Sequence, residues 1–183
     1  MPFIPNAANI DQDNDKRIAS MSKVLADCAT IQSAVTWAMD NTEWDFTGVY
    51  FDAIDHFCHG FMKFHPPQLP GVPDEMYENY NNIINAGYMF HDMMLEQLLK
   101  QAGEDTTIVL LSDHGFHSDH LRPVNLPKEE PAAPAMEHRP YGMFVIKGPG
   151  IKKNETIGGA TLLDICPTLL TLFGLPIGDD MDG

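Results

Sequence analysis

The stretch Thr106 to Ser112, TTIVLLS, constrains the fold of this chain more than any other. Its centre is continuously apolar, and turn-forming residues bound it on both sides. A strand that is apolar on both faces has to be covered on both faces, which is the habit of a parallel sheet lying between helices. The surrounding sequence supplies such helices. Asp15 to Asp40 is predicted helical, because Ile18, Met21, Val24, Leu25, Cys28, Ile31, Val35 and Met39 recur at three- and four-residue steps. Asp74 to Ala102 is predicted as one long helix, with acids at its start and Gly103 at its end. Thr161 to Phe173 is predicted as a third, apolar helix closed by Gly174.

Two further strands are expected, at Trp44 to Phe51 and at Gly142 to Lys147. Asp52 to His65 reads as a loop or short helical turn, and the prolines at 66, 67, 70 and 73 enforce an extended connection after it. Phe116 to Arg139 is a long loop without periodicity, a type that is usually functional. Strands alternating with helices define an α/β fold, with a mostly parallel sheet and helices on both faces. Residues 1–14 read as a polar arm or linker, and 15–183 as one domain.

The formal net charge is −15, which disfavours a nucleic-acid partner because phosphates would be repelled. No apolar run approaches the roughly 20 residues that a membrane-spanning helix needs. The three cysteines, Cys28, Cys58 and Cys166, are dispersed and form no C-x-x-C pair. They are expected to be buried free thiols, outside any disulfide or thiolate zinc site.

In open α/β sheets, ligands gather beyond the carboxyl ends of strands, and the chemistry-bearing residues of this chain fall there. Asp113 and His114 follow TTIVLLS directly, within SDHG, and Gly115 lets the chain turn tightly behind them. Asp55 and His59 follow the Trp44 to Phe51 segment four residues apart. Asp52 and His56 share that spacing, so residue chemistry alone leaves the pair ambiguous. His138 precedes the Gly142 to Lys147 segment. Aspartate oxygen and imidazole nitrogen are both zinc ligands, at about 2.0–2.2 Å. The combined set of nitrogen and oxygen donors, with no thiolate among them, suits zinc-like ions, and manganese or iron as well.

These segments in this order resemble the type I phosphodiesterase/nucleotide pyrophosphatase branch of the alkaline phosphatase superfamily. The resemblance runs from Trp44 to Gly183 and rests on D-x-x-x-H-G at Asp55 to Gly60, on SDHG at Ser112 to Gly115, on GMFVIKGPGI after His138, and on LLDICPTLLTLFGLP at Leu162 to Pro176. It implies a partial alkaline-phosphatase-like sandwich. It also implies two divalent metal ions, with Asp55, His59 and His138 on one and Asp113 and His114 contributing to the other. It selects Asp55 over Asp52. Only the first set has three ligands, so a single tight site is expected. The resemblance further implies metal-dependent hydrolysis of a phosphomonoester or phosphodiester, by a Thr or Ser nucleophile on a segment preceding Trp44. No such strand and turn are recognisable there, so the chain is expected to be the C-terminal portion of the catalytic domain.

Arg139, beside His138, is the candidate contact for substrate phosphate, ahead of Lys63 and Arg122. His117, Asp119 and His120 are expected to be solvated loop residues, and His91 and Asp92 helix residues with structural roles. Rival readings are a metal-binding domain without catalysis, a sulfatase and a phosphoglycerate mutase. Apolar strands left without neighbours point to a homo-oligomer.

Overall fold

The structure, a computed structural model, describes residues 3–182. Its helices are α1 (Arg17–Asn41), α2 (Ala53–Phe61), α3 (Asp74–Tyr80), α4 (Ile83–Ala102) and α5 (Ile165–Leu172). Its strands are β1 (Ile108–Leu111), β2 (Gly115–Phe116), β3 (His138–Arg139) and β4 (Phe144–Lys147).

The core lies among α1, α2 and α4. Met21 and Cys28 of α1 meet Phe57, Cys58 and Phe61 of α2, with Ile83, Ile84 and Met94 of α4 and Tyr80 of α3 closing the cluster. The period-3.6 pattern in α1 therefore does bury one stripe, and polar bonds fix its register on α4. Gln32 Nε2 donates to the Met94 carbonyl at 3.3 Å, and Gln101 Nε2 donates to the Thr36 carbonyl at 2.7 Å and to Asp40 Oδ1 at 2.6 Å. The segment expected as an arm also packs inward. Ile4 is buried, and the Phe3 ring lies 5.6 Å from that of Phe57. Residues 1, 2 and 183 of the terminal readings lie outside the described residues.

The contact of α2 with α4 is close at Gly87. A Cβ there would come within 2.8 Å of the Phe57 ring, so the glycine that weakens the helix intrinsically is what lets α2 approach.

Several expectations need correction. The sheet is not mostly parallel: the described strands form two antiparallel pairs, β1 with β4 and β2 with β3. The chain after β1 doubles back, and Ser112 and Met143 close the ladder, with the Ser112 amide donating to the Met143 carbonyl at 2.9 Å and the Met143 amide to Ser112 Oγ at 2.9 Å. Nor is β1 covered on both faces, since Leu110, Leu111 and Val145 are 39%, 41% and 52% exposed. Trp44 to Phe51, expected as a strand, has no regular secondary structure and joins no ladder among the described residues. Its β-forming side chains favour extension, and a ladder also needs a neighbouring backbone.

The Asp74 to Ala102 helix is interrupted at Asn81 and Asn82, where α3 ends and α4 starts. The Thr161 to Phe173 helix opens with a capping box. The Leu163 amide donates to Thr161 Oγ1 at 3.2 Å, while Asp164 Oδ2 accepts from the Thr161 amide at 2.6 Å. Cys28 and Cys58 are buried free thiols as expected, but Cys166, on the exposed side of α5, is not. No helix of the described residues is long and apolar enough to cross a membrane.

Candidate metal centre

Helix α2 carries the first half of the site. The segment Asp52 to His65 takes its helical alternative, which sets Asp55 and His59 one turn apart on one face, with Asp55 Oδ1 3.5 Å from His59 Nε2. Asp55 sits in the first turn of α2, where the helix dipole favours an acid, and His59 in the last. The competing pair stays apart from this face. Asp52 Oδ2 bonds His56 Nε2 at 3.2 Å, and both side chains are exposed.

The β2–β3 pair carries the second half. The register sets Phe116 opposite His138 and Gly115 opposite Arg139. His114, just before β2, then stacks on His138 with ring centroids 3.8 Å apart and planes 15° from parallel. A Cβ on Gly115 would lie 2.9 Å from the Tyr141 carbonyl oxygen, so the strand crossing demands glycine at that point. Phe116 forms a wall of the cluster, edge-on to His59 at 5.0 Å, His114 at 5.5 Å and His138 at 4.9 Å.

The two halves meet. His138 Nε2 is 3.1 Å from His59 Nε2 and 3.8 Å from Asp55 Oδ1. Ligand atoms of Asp55, His59 and His138 all lie within 4.8 Å of one another. His114 Nε2 adds a fourth donor 3.7 Å from Asp55 Oδ1. Asp113 stands at the rim, its side chain 71% exposed, with Oδ1 3.8 Å from His114 Nε2.

The donor set fits a divalent cation of the zinc class. Asp55 Oδ1 is buried and accepts no hydrogen bond, an arrangement that costs free energy unless something positive meets the oxygen. Burial depresses the His138 imidazole below its usual range, and the neighbouring His114 and His59 rings push the same way against the opposing pull of Asp55 and Asp113. A neutral imidazole is the ligating form. Cys58, beneath the site, is pushed up to about 12 by burial, with Asp55 and Glu137 adding to the effect, so it remains a thiol and no thiolate ligand.

Sequence reasoning missed Glu137. This nearly buried carboxylate places Oε2 2.6 Å from His59 Nδ1. A glutamate adjoining a ligand histidine was the available signal. It also misjudged Arg122, a candidate phosphate contact that is 3% exposed. Its guanidinium donates to the carbonyls of Pro66, Pro67 and Ser118, which ties the proline loop to the segment leading into the site. Lys63 lies over the Phe64 ring at 5.2 Å. Arg139 is half exposed and ion-paired with Asp119, with Nε 3.5 Å from His117 Nδ1. His117 and Asp119 are thereby partners of Arg139 instead of free loop groups, while His120 is exposed. His91 has a structural role, its Nδ1 2.8 Å from the Gly87 carbonyl oxygen.

Comparison with known proteins gives the class of the chain. The type I phosphodiesterase / nucleotide pyrophosphatase family matches residues 6–133, and the chain belongs to that family. The match takes in α1, Asp55, His59, Asp113 and His114, and stops short of Glu137 and His138. The chain is 28% identical over 141 residues, 76% of its length, to the human GPI ethanolamine phosphate transferase 3, catalytic subunit. It is 35% identical over 88 residues, 46% of its length, to the extracellular sulfatase SULF-1 homolog of Drosophila melanogaster. It spans only 11% and 8% of those relatives' lengths, respectively. Both belong to the alkaline phosphatase superfamily, as the sequence motifs implied. No solved structure matches the chain.

Proposed function

We propose that this chain contributes a divalent-metal centre to phosphoester hydrolysis, with Asp55, His59 and His138 holding one zinc-class ion tightly and Asp113 and His114 contributing to a second, weaker site. The observation that carries the reading is the convergence of Asp55, His59 and His138, with the buried Asp55 Oδ1 accepting no hydrogen bond. A bound ion of this class supplies Lewis-acid charge to a phosphoryl oxygen. The chain's own residues do the rest of what can be assigned. Asp55 and His59 are carried by α2, the β2–β3 pair sets His138 against them, and the Phe116 ring walls one side of the cluster. Arg139 is the candidate cation for a small phosphoester substrate, released from Asp119 when a more strongly charged phosphate arrives.

The names of the relatives bring transfer of a phosphoester group and sulfate-ester cleavage alongside hydrolysis, because all three set a cation against an anionic tetrahedral centre. The acidic chain has no use for a polyanionic nucleic acid. Exposed apolar side chains on β4 and at the two ends of α5, among them Val145, Leu162, Leu163 and Phe173, favour self-association, and light scattering should find a dimer or larger.

Zinc titration against a competing chelator tests the centre. The wild-type chain should take up a single tight equivalent. His59→Ala and His138→Ala should each weaken it by more than tenfold, while His117→Ala leaves it unchanged. Equal affinity in all four proteins would refute the reading.

A further inference from the structure

Glu137 is a charged residue with 7% exposure, placed where burial costs free energy unless the carboxylate is bonded. Its position is set by the backbone. It closes the short 3-10 helix Ala133–Glu137, and its carbonyl accepts the His117 amide at 2.8 Å. Its Oε2 lies 2.6 Å from His59 Nδ1. An ionised carboxylate only accepts hydrogen bonds, so the proton between them belongs to Nδ1. In a neutral ring this leaves the Nε2 lone pair bare. That Nε2 points at His138 Nε2, 3.1 Å away, and at Asp55 Oδ1, 3.5 Å away.

We propose that Glu137 is a positioning residue of the centre: it holds His59 as the Nδ1–H tautomer and so presents Nε2, in fixed orientation, to the cation. The inference rests on the metal reading above and extends it. Ligand histidines are commonly oriented by a carboxylate behind the ring, and removal of that partner typically weakens metal binding by roughly 10–100-fold. Here the carboxylate and a ligand are neighbours in sequence. Glu137 stands behind His59 while His138 faces it, so one dipeptide engages both nitrogens of the same ring. The α2 half and the β3 half of the site are thereby locked together.

The test uses the full chain with Glu137→Met and Glu137→Ala, both of which remove the carboxylate acceptor. Nitrogen NMR of the metal-free proteins reads the tautomer of each imidazole, and chelator competition reads zinc affinity. His59 should be the Nδ1–H tautomer in the wild type and lose that preference in both variants. Zinc should bind roughly 10–100-fold more weakly. Should the alanine variant lose its fold by circular dichroism, the methionine variant, close to glutamate in volume, carries the measurement. An unchanged His59 tautomer, or zinc affinity equal to wild type in a folded Glu137→Met protein, would overturn the proposal. A wild-type chain that takes up no zinc would overturn the metal reading itself, and it is told apart because the tautomer shift in the variants would persist without metal.

Discussion

Replacing Gly87 by alanine sets two effects of opposite sign against each other, and the packing of α2 on α4 decides the outcome. Removing a mid-helix glycine stabilises a helix by about 1 kcal/mol in the absence of other contacts. The new methyl, however, would lie 2.8 Å from Phe57 Cδ2 and 3.3 Å from Cε2, in a ring that is 2% exposed and cannot swing away. Overpacking of this kind costs about 1–3 kcal/mol. The balance is a net loss of about 1 kcal/mol, or a urea midpoint about 0.5 M lower at a slope of about 2 kcal/mol per molar. Gly60, in α2, is the internal control, since a Cβ there meets nothing within 4 Å. Gly60→Ala should stabilise by about 0.5 kcal/mol. In a Phe57→Leu background, Gly87→Ala should turn neutral or stabilising. Equal stabilisation by Gly87→Ala and Gly60→Ala in the wild-type background would refute the close approach of the two helices.

Other consequences follow from buried groups. Tyr80, fully buried, donates to Asp15 Oδ2 at 2.6 Å, and Tyr80→Phe should cost about 1.5 kcal/mol in a urea titration, because a bond to a charged acceptor is lost. Of the three thiols, only exposed Cys166 should react with a chromogenic disulfide in the native protein at pH 8, with Cys28 and Cys58 reacting after unfolding. Burial depresses the His91 imidazole, against a smaller opposing effect of its bond to the Gly87 carbonyl. A depressed folded-state value means stability present above the ordinary 6.5 and lost as pH falls through the folded value. The thermal midpoint should therefore drop on acidification below pH 6.5, and His91→Gln should make that drop shallower.

Much of the candidate cluster was legible because its residues lie at fixed short spacings. Asp55 and His59 stand four apart, which becomes one helical turn, and Asp113 and His114 directly follow an apolar run that does form β1. His138 was legible only in combination with the other two segments and through the resemblance, since a lone histidine in a loop carries no geometric information of its own. Glu137 was not, because its role depends on a side chain 78 positions earlier in the chain. The fold divides in the same way. Helix α1 announced itself by periodicity, whereas the sheet was misread because an apolar run marks a strand without fixing the direction of its partner or whether its faces are covered. Trp44 to Phe51 shows the same limit: its residues favour extension, but no strand of the described residues pairs with it.

The central claim is that Asp55, His59 and His138 surround one cation, and the most direct measurement is the anomalous scattering of zinc in crystals of the zinc-loaded chain. The account predicts a strong peak at the zinc edge about 2.0–2.2 Å from a carboxylate oxygen of Asp55 and from Nε2 of both His59 and His138. A zinc peak on other residues alone, such as His117 with Asp119 or the acidic stretch Asp179 to Asp182, with none between α2 and β3, would contradict it.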